Sequence, residues 1–205
     1  MKKIFLALIL GLFLIGCDNQ NSASNEHSKN SPTPIKVGEE ITLTSVFDSN
    51  ITIVRTQNGF KLKDSNKIVM FDIFGTFCEP CRAEASNLMD YQLKNNNDMM
   101  IIGLIYFENI TNKDIVENFS KKYNAYYFIA NSDRNIDIVD QILKDIEYKN
   151  ALQIPFKVVL KDGKYQDLTD NLNKNSSEMK KYYLGYVNVP LLQNDLNRIK
   201  DASNK

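Results

Sequence analysis

Residues 67–74, KIVMFDIF, form an almost unbroken apolar run that ends a few positions before two cysteines, Cys78 and Cys81. A short run of this kind, rich in β-branched and aromatic residues, predicts a strand covered on both faces. Pro80 then suits the first turn of a helix, where its missing N–H costs nothing. Beyond it Cys81, Ala85, Leu88 and Gln92 fall on one helical side, with Met89 beside them. A buried strand therefore feeds directly into a helix that carries a cysteine pair at its start. Such a strand needs helices on both faces, which restricts the chain to layered α/β architectures.

The remaining pattern agrees with that class. Ile41–Val46 and Ile51–Arg55 show the alternation of an N-terminal hairpin or edge, and Met99–Phe107 reads as a second buried strand. Thr111 and Asp114 resemble a capping box ahead of a short helix carrying Ile115, Val116, Phe119 and Tyr123. AYYFIA, 125–130, predicts a third strand, and Ile136, Val139, Ile142, Leu143 and Ile146 mark another helical stripe. After Pro155, FKVVLKDGKYQDL predicts a hairpin turning at Asp162-Gly163. Residues 171–181 read as an exposed loop, Tyr182–Val187 as an edge strand, and Leu192, Leu196 and Ile199 as the inner face of a final helix. The expected fold is a mixed central sheet with helices on both faces.

The chain has three cysteines and one histidine. Two cysteines spaced like Cys78 and Cys81 can close a strained, reducible ring. At a helix N-terminus, unpaired N–H groups and the helix dipole favour the Cys78 thiolate as nucleophile, leaving Cys81, one turn in, as a buried resolving thiol. A zinc site would need about four ligands, and His27 lies far from the pair, so no metal is expected. Haem attachment would need His after Cys81, where Arg82 stands. A static structural disulfide is the bland alternative, although so short a loop adds little stability.

The first residues, MKKIFLALILGLFLIGC, combine a basic start with an apolar run too short for a resident membrane helix. The run closes on Leu14-Ile15-Gly16-Cys17, which resembles a bacterial lipobox. That resemblance implies cleavage before Cys17, lipidation of its sulfur, and an extracytoplasmic, membrane-anchored chain. Residues 1–16 are then a signal peptide, 17–38 a lipidated, Asn/Ser/Pro-rich disordered tether, and 39–205 one domain. Loss of Lys2 and Lys3 leaves 23 of the 25 basic residues against 25 acidic ones. No basic block interleaves with aromatics, which argues against a nucleic-acid partner.

The run from Lys67 to Ala85, together with Ile154-Pro155 and the hairpin after it, resembles the thioredoxin fold. Within it, Cys78-Glu79-Pro80-Cys81-Arg82-Ala83-Glu84 is similar to the signature of membrane-anchored TlpA/ResA-type thioredoxin-like proteins. The resemblance covers roughly residues 40–200 and is strongest at this motif. It implies a thiol-disulfide oxidoreductase without a cofactor, working on exported protein thiols and disulfides and drawing electrons from a membrane thiol transporter. Oxidised apocytochrome c is an implied substrate, and a monomer is expected. The resemblance makes Ile154-Pro155 a cis peptide facing the dithiol. Phe77 stands where the family usually has Trp, and Phe156 where threonine is common. Together with Glu79 and Pro80 flanking the sulfur, Phe77, Ile154 and Pro155 are the expected substrate-binding residues. Asp72 matches the buried acid of thioredoxin, and a lone carboxylate there should have a raised pKa. Glu84 matches an acid near the dithiol in ResA-like proteins. The bland alternatives are a solvent-reaching Asp72 and a Glu84 that merely favours the helix start. The 74 positions from Cys81 to Pro155 leave room for an added helix–strand unit, which favours a reductase over a disulfide oxidase or isomerase. A non-catalytic binding lipoprotein is the remaining alternative.

Overall fold

The computed structural model describes residues 32–173 and 176–202. The expected signal peptide at residues 1–16, the expected lipidation site Cys17, and His27 lie outside the described residues. In chain order the elements are β1 (Glu40–Thr44), β2 (Asn50–Arg55), β3 (Phe60–Leu62), β4 (Ile68–Phe74), α1 (Glu79–Lys94) and β5 (Met99–Ile105). A helical segment follows, α2 (Asn112–Ile115) running through a π turn at Val116–Ser120 into α3 (Lys121–Tyr123). Then come β6 (Phe128–Ala130), α4 (Arg134–Asp145), β7 (Phe156–Lys161), β8 (Lys164–Tyr165), β9 (Leu168–Thr169), β10 (Met179–Lys180), β11 (Tyr183–Leu184) and α5 (Val189–Asp201).

The central sheet runs β11-β7-β4-β5-β6, with β8 also on β7. β4 and β5 are parallel, as are β5 and β6, while β7 lies antiparallel to β4. All seven residues of β4 are buried, which is what its unbroken apolar run requires of a central strand. Its side chains alternate between two cores. Ile68, Met70 and Phe74 join Cys81, Ala85, Leu88, Leu192, Leu196 and Phe119 on one face. Val69, Phe71 and Ile73 join the β1–β3 sheet and Ile138, Val139 and Ile142 of α4 on the other. Period two thus places Asp72 on the face that α1 covers.

Several boundaries differ from the sequence reading. Ile35 is buried in the second core, the Thr33 N–H donates to Asp137 (2.7 Å), and the Gly38 N–H donates to the Arg55 carbonyl (2.8 Å). The packed body therefore begins ahead of residue 39, because one apolar side chain and two backbone donors dock the end of the expected tether. On α4, Ile136 is exposed, while Asn135 and Ile138 turn inward. The Asn135 amide satisfies the carbonyls of Ile105 and Ala130, so a polar residue occupies an inward position. The expected loop at 171–181 contains β10, paired with β9. At Asp162-Gly163 both residues have positive φ, 52° and 75°, as a tight hairpin turn between β7 and β8 requires.

Arg55 and Asp145 tie β2 to α4 through two contacts of 2.7 Å, and the Tyr165 hydroxyl donates to the same carboxylate (3.0 Å). Arg55 is buried. Asp145→Ala would take the carboxylate from a guanidinium that keeps the Gly59 carbonyl as acceptor (2.8 Å), and the expected loss is about 3–5 kcal/mol of unfolding free energy. It should read as a lower urea midpoint at unchanged slope.

Candidate active site

β4 ends at Phe74, and Gly75-Thr76-Phe77 leads into α1. Cys78 is the N-cap residue of that helix, and its Sγ accepts the Cys81 N–H at 3.3 Å. That amide belongs to the first helical turn, whose N–H groups have no partner within the helix. The same donor and the helix dipole would stabilise a thiolate on Cys78. Cys78 and Cys81 are joined as a disulfide with their Cα atoms 5.3 Å apart. Both are buried, whereas Phe77, Glu79 and Pro80 around them are exposed. A partner reaching this sulfur must therefore approach across those three side chains.

The loop ahead of Cys78 is pinned. Glu108 accepts the Thr76 N–H and hydroxyl, at 2.5 and 2.8 Å, and Arg82 Nε donates to the Thr76 carbonyl at 2.6 Å. The Arg82 guanidinium also lies over the Tyr123 ring. Arg82, the residue after Cys81, is thus a strut that holds the loop. Glu108 has no local signal in the sequence, because it reaches Thr76 only through β4–β5 pairing.

The Ile154-Pro155 peptide is cis. Pairing of Ile73 with Phe156 brings the start of β7 beside the end of β4, the end that leads to Cys78. The Pro155 carbonyl accepts the Gly185 N–H (2.8 Å), and Ile154 is part-buried.

Behind the dithiol lies a buried charge cluster. Asp72 is 2% exposed and Glu84 1%, so neither a solvent-reaching Asp72 nor a Glu84 that merely favours the helix start describes the fold. Lys157, fully buried, pairs opposite Asp72 in the antiparallel register of β4 and β7. Its ammonium contacts Glu84 Oε1 and lies 3.3 Å from Asp72 Oδ1. Glu84 Oε2 accepts the Val187 N–H (3.2 Å), and the Tyr127 hydroxyl donates to Asp72 Oδ2 (3.4 Å). Gly103, Asp72's partner on β5, leaves room for this approach: a Cβ there would stand 3.1 Å from the Tyr127 ring.

Burial pushes the Glu84 carboxyl up to about 7, with Asp72 adding to the rise and Lys157 opposing it. For Lys157, burial favours the neutral amine, but the two carboxylates outweigh it and raise its pKa. Tyr127 is raised well above the ordinary phenol, by burial first and then by Asp72 and Glu84. Lys157 is absent from the site expected from the sequence. Its one local signal is a lysine inside an apolar strand, in period-two register with Val159.

No protein-family model and no curated protein matches the sequence. Among solved structures, the chain is similar to the solution structure of a putative protein disulfide isomerase from Bacteroides thetaiotaomicron. The TM-score is 0.51 at 18% identity, covering 83% of this chain and 89% of that one. The chain has the thioredoxin fold. Looser matches include the thioredoxin domain of a thiol-disulfide oxidoreductase from Bacteroides vulgatus (TM-score 0.49, 14% identity, 82% and 99% of the two chains). StoA from Bacillus subtilis is another (0.47, 13%, 80% and 96%). On this thioredoxin fold, α2, α3 and β6 form a helix–strand unit between β5 and α4.

Proposed function

We propose that the protein is an extracytoplasmic thiol-disulfide oxidoreductase, anchored through lipidated Cys17, that reduces disulfides of exported proteins through Cys78 and Cys81. The observation that carries this reading is a disulfide at a helix N-cap with a buried carboxylate one turn behind it. The Cys78 thiolate attacks a substrate disulfide, forming a mixed disulfide and releasing one substrate thiolate. Cys81 loses its proton and attacks the Cys78 sulfur, which frees the second substrate thiolate and closes the Cys78–Cys81 bond. Two electrons pass to the substrate. A membrane thiol transporter then reduces the pair again. Exported haem-binding cysteines, such as those of apocytochrome c, are the proposed substrates. The exposed Phe77 and the Ile154-Pro155 segment supply the binding surface.

Cys81→Ala removes the resolving thiol while leaving the attacking one. Expressed in an exporting bacterium, it is expected to accumulate mixed disulfides that dithiothreitol releases and that contain exported proteins. Wild type should accumulate few. A dithiol reduction potential near that of thioredoxin, about −270 mV, supports the reductase, whereas a value near about −120 mV would make it an oxidase.

A further inference from the structure

We propose that Lys157 is a positioning residue for the resolving step: its ammonium, seated between Asp72 and Glu84, holds the two carboxylates in a state from which Glu84 accepts the Cys81 proton. This rests on the oxidoreductase reading above, and it adds a residue to it. Two carboxylates and one ammonium share a site from which water is excluded, so their charges cannot balance unless one carboxyl carries a proton. Lys157 contacts Glu84 directly, and Glu84 stands one helical turn beyond Cys81 on the buried side of α1.

The groups facing Glu84 are Asp72 from β4, Lys157 from β7, Tyr127 from the segment before β6 and the Val187 N–H from the segment before α5. Tyr127 donates to Asp72 Oδ2, while the Lys157 ammonium stands 3.3 Å from Asp72 Oδ1 as an ion pair. Glu84, one turn from Cys81 on the same buried side of α1, is the member placed to exchange a proton with it. In the resolving step the Cys81 S–H bond breaks and its proton passes to Glu84. The freed electron pair forms the bond to Cys78 Sγ, and the substrate sulfur leaves as a thiolate. That thiolate or solvent then takes the proton from Glu84. Without the ammonium, Glu84 stays protonated to higher pH and Cys81 keeps its proton.

The test separates attack from resolution. Reduced protein is mixed with a disulfide-bonded peptide, quenched in acid at timed intervals and weighed by mass spectrometry from pH 5 to 9. In wild type the resolving rate should rise with pH through neutrality. Lys157→Met should displace that rise upward by at least about one pH unit, lowering the ratio of resolution to attack at pH 7 about tenfold. Glu84→Gln should abolish the rise, and Lys157→Met in the Glu84→Gln background should add no further displacement. Coincident profiles for wild type and Lys157→Met overturn the proposal, as does a further displacement in the double variant. Absence of attack in wild type sinks the oxidoreductase reading and this inference with it.

If Lys157→Met does not fold, nuclear magnetic resonance titration of the wild type decides. A Glu84 carboxyl that titrates near neutrality beside a still-charged Lys157 supports the proposal. A Lys157 that loses its proton in the same range overturns it.

Discussion

Cys78→Ser should reduce insulin no faster than dithiothreitol alone. A serine hydroxyl at the N-cap receives the same N–H as the sulfur does, so the helix start should survive. What disappears is the N-cap sulfur proposed to attack the substrate, and Cys81, a turn inside α1, does not stand at the N-cap to take its place. A hydroxyl is a far weaker nucleophile than a thiolate and forms no disulfide. Turbidity of precipitating insulin B chain gives the rate, and the melting curve confirms that the variant is folded. Equal rates for wild type and Cys78→Ser would remove the catalytic reading and leave a thioredoxin-fold binding protein.

The second large effect is on stability against pH, with a sign opposite to that of most carboxylates. Glu84 has a folded-state value of about 7 against an ordinary 4.5. Between those values the native state binds more protons than the unfolded state, so stability falls as pH rises. The contribution of Glu84 is fully present below about pH 4.5 and is lost as pH rises through 7. Its full size is about 3 kcal/mol. Glu84→Gln cannot titrate and should lack this component. The unfolding free energy of oxidised wild type minus that of Glu84→Gln should therefore shrink by a few kcal/mol between pH 4.5 and 8, measured from urea midpoints. Growth of that difference with pH would mean that Lys157 holds Glu84 ionised against burial.

Much of the fold is legible in the sequence because its signals are local. β4 and β5 announce themselves as apolar runs, the β7–β8 hairpin by Asp162-Gly163, α1 by Pro80, and α2 by Thr111, whose hydroxyl accepts the Asp114 N–H at 3.1 Å. The short strands β3, β9 and β10 carry little signal of their own; each exists because a neighbouring strand supplies partners. Ile136, expected on the inward stripe, is exposed because α4 docks so that the Asn135 amide caps two carbonyls at the ends of β5 and β6.

The division is sharpest at the site. The amino-acid order alone determined that two sulfurs stand one turn apart at a helix start, with Asp72 and Glu84 at fixed offsets before and after them. Helical and strand periods carry that information over a few residues without reference to the rest of the chain. Only the tertiary structure decided that Lys157 on β7 meets Asp72 across the antiparallel register and reaches Glu84 under α1. Which charges share a water-free space depends on strand order and helix docking, and that grouping sets whether a buried acid holds or releases its proton.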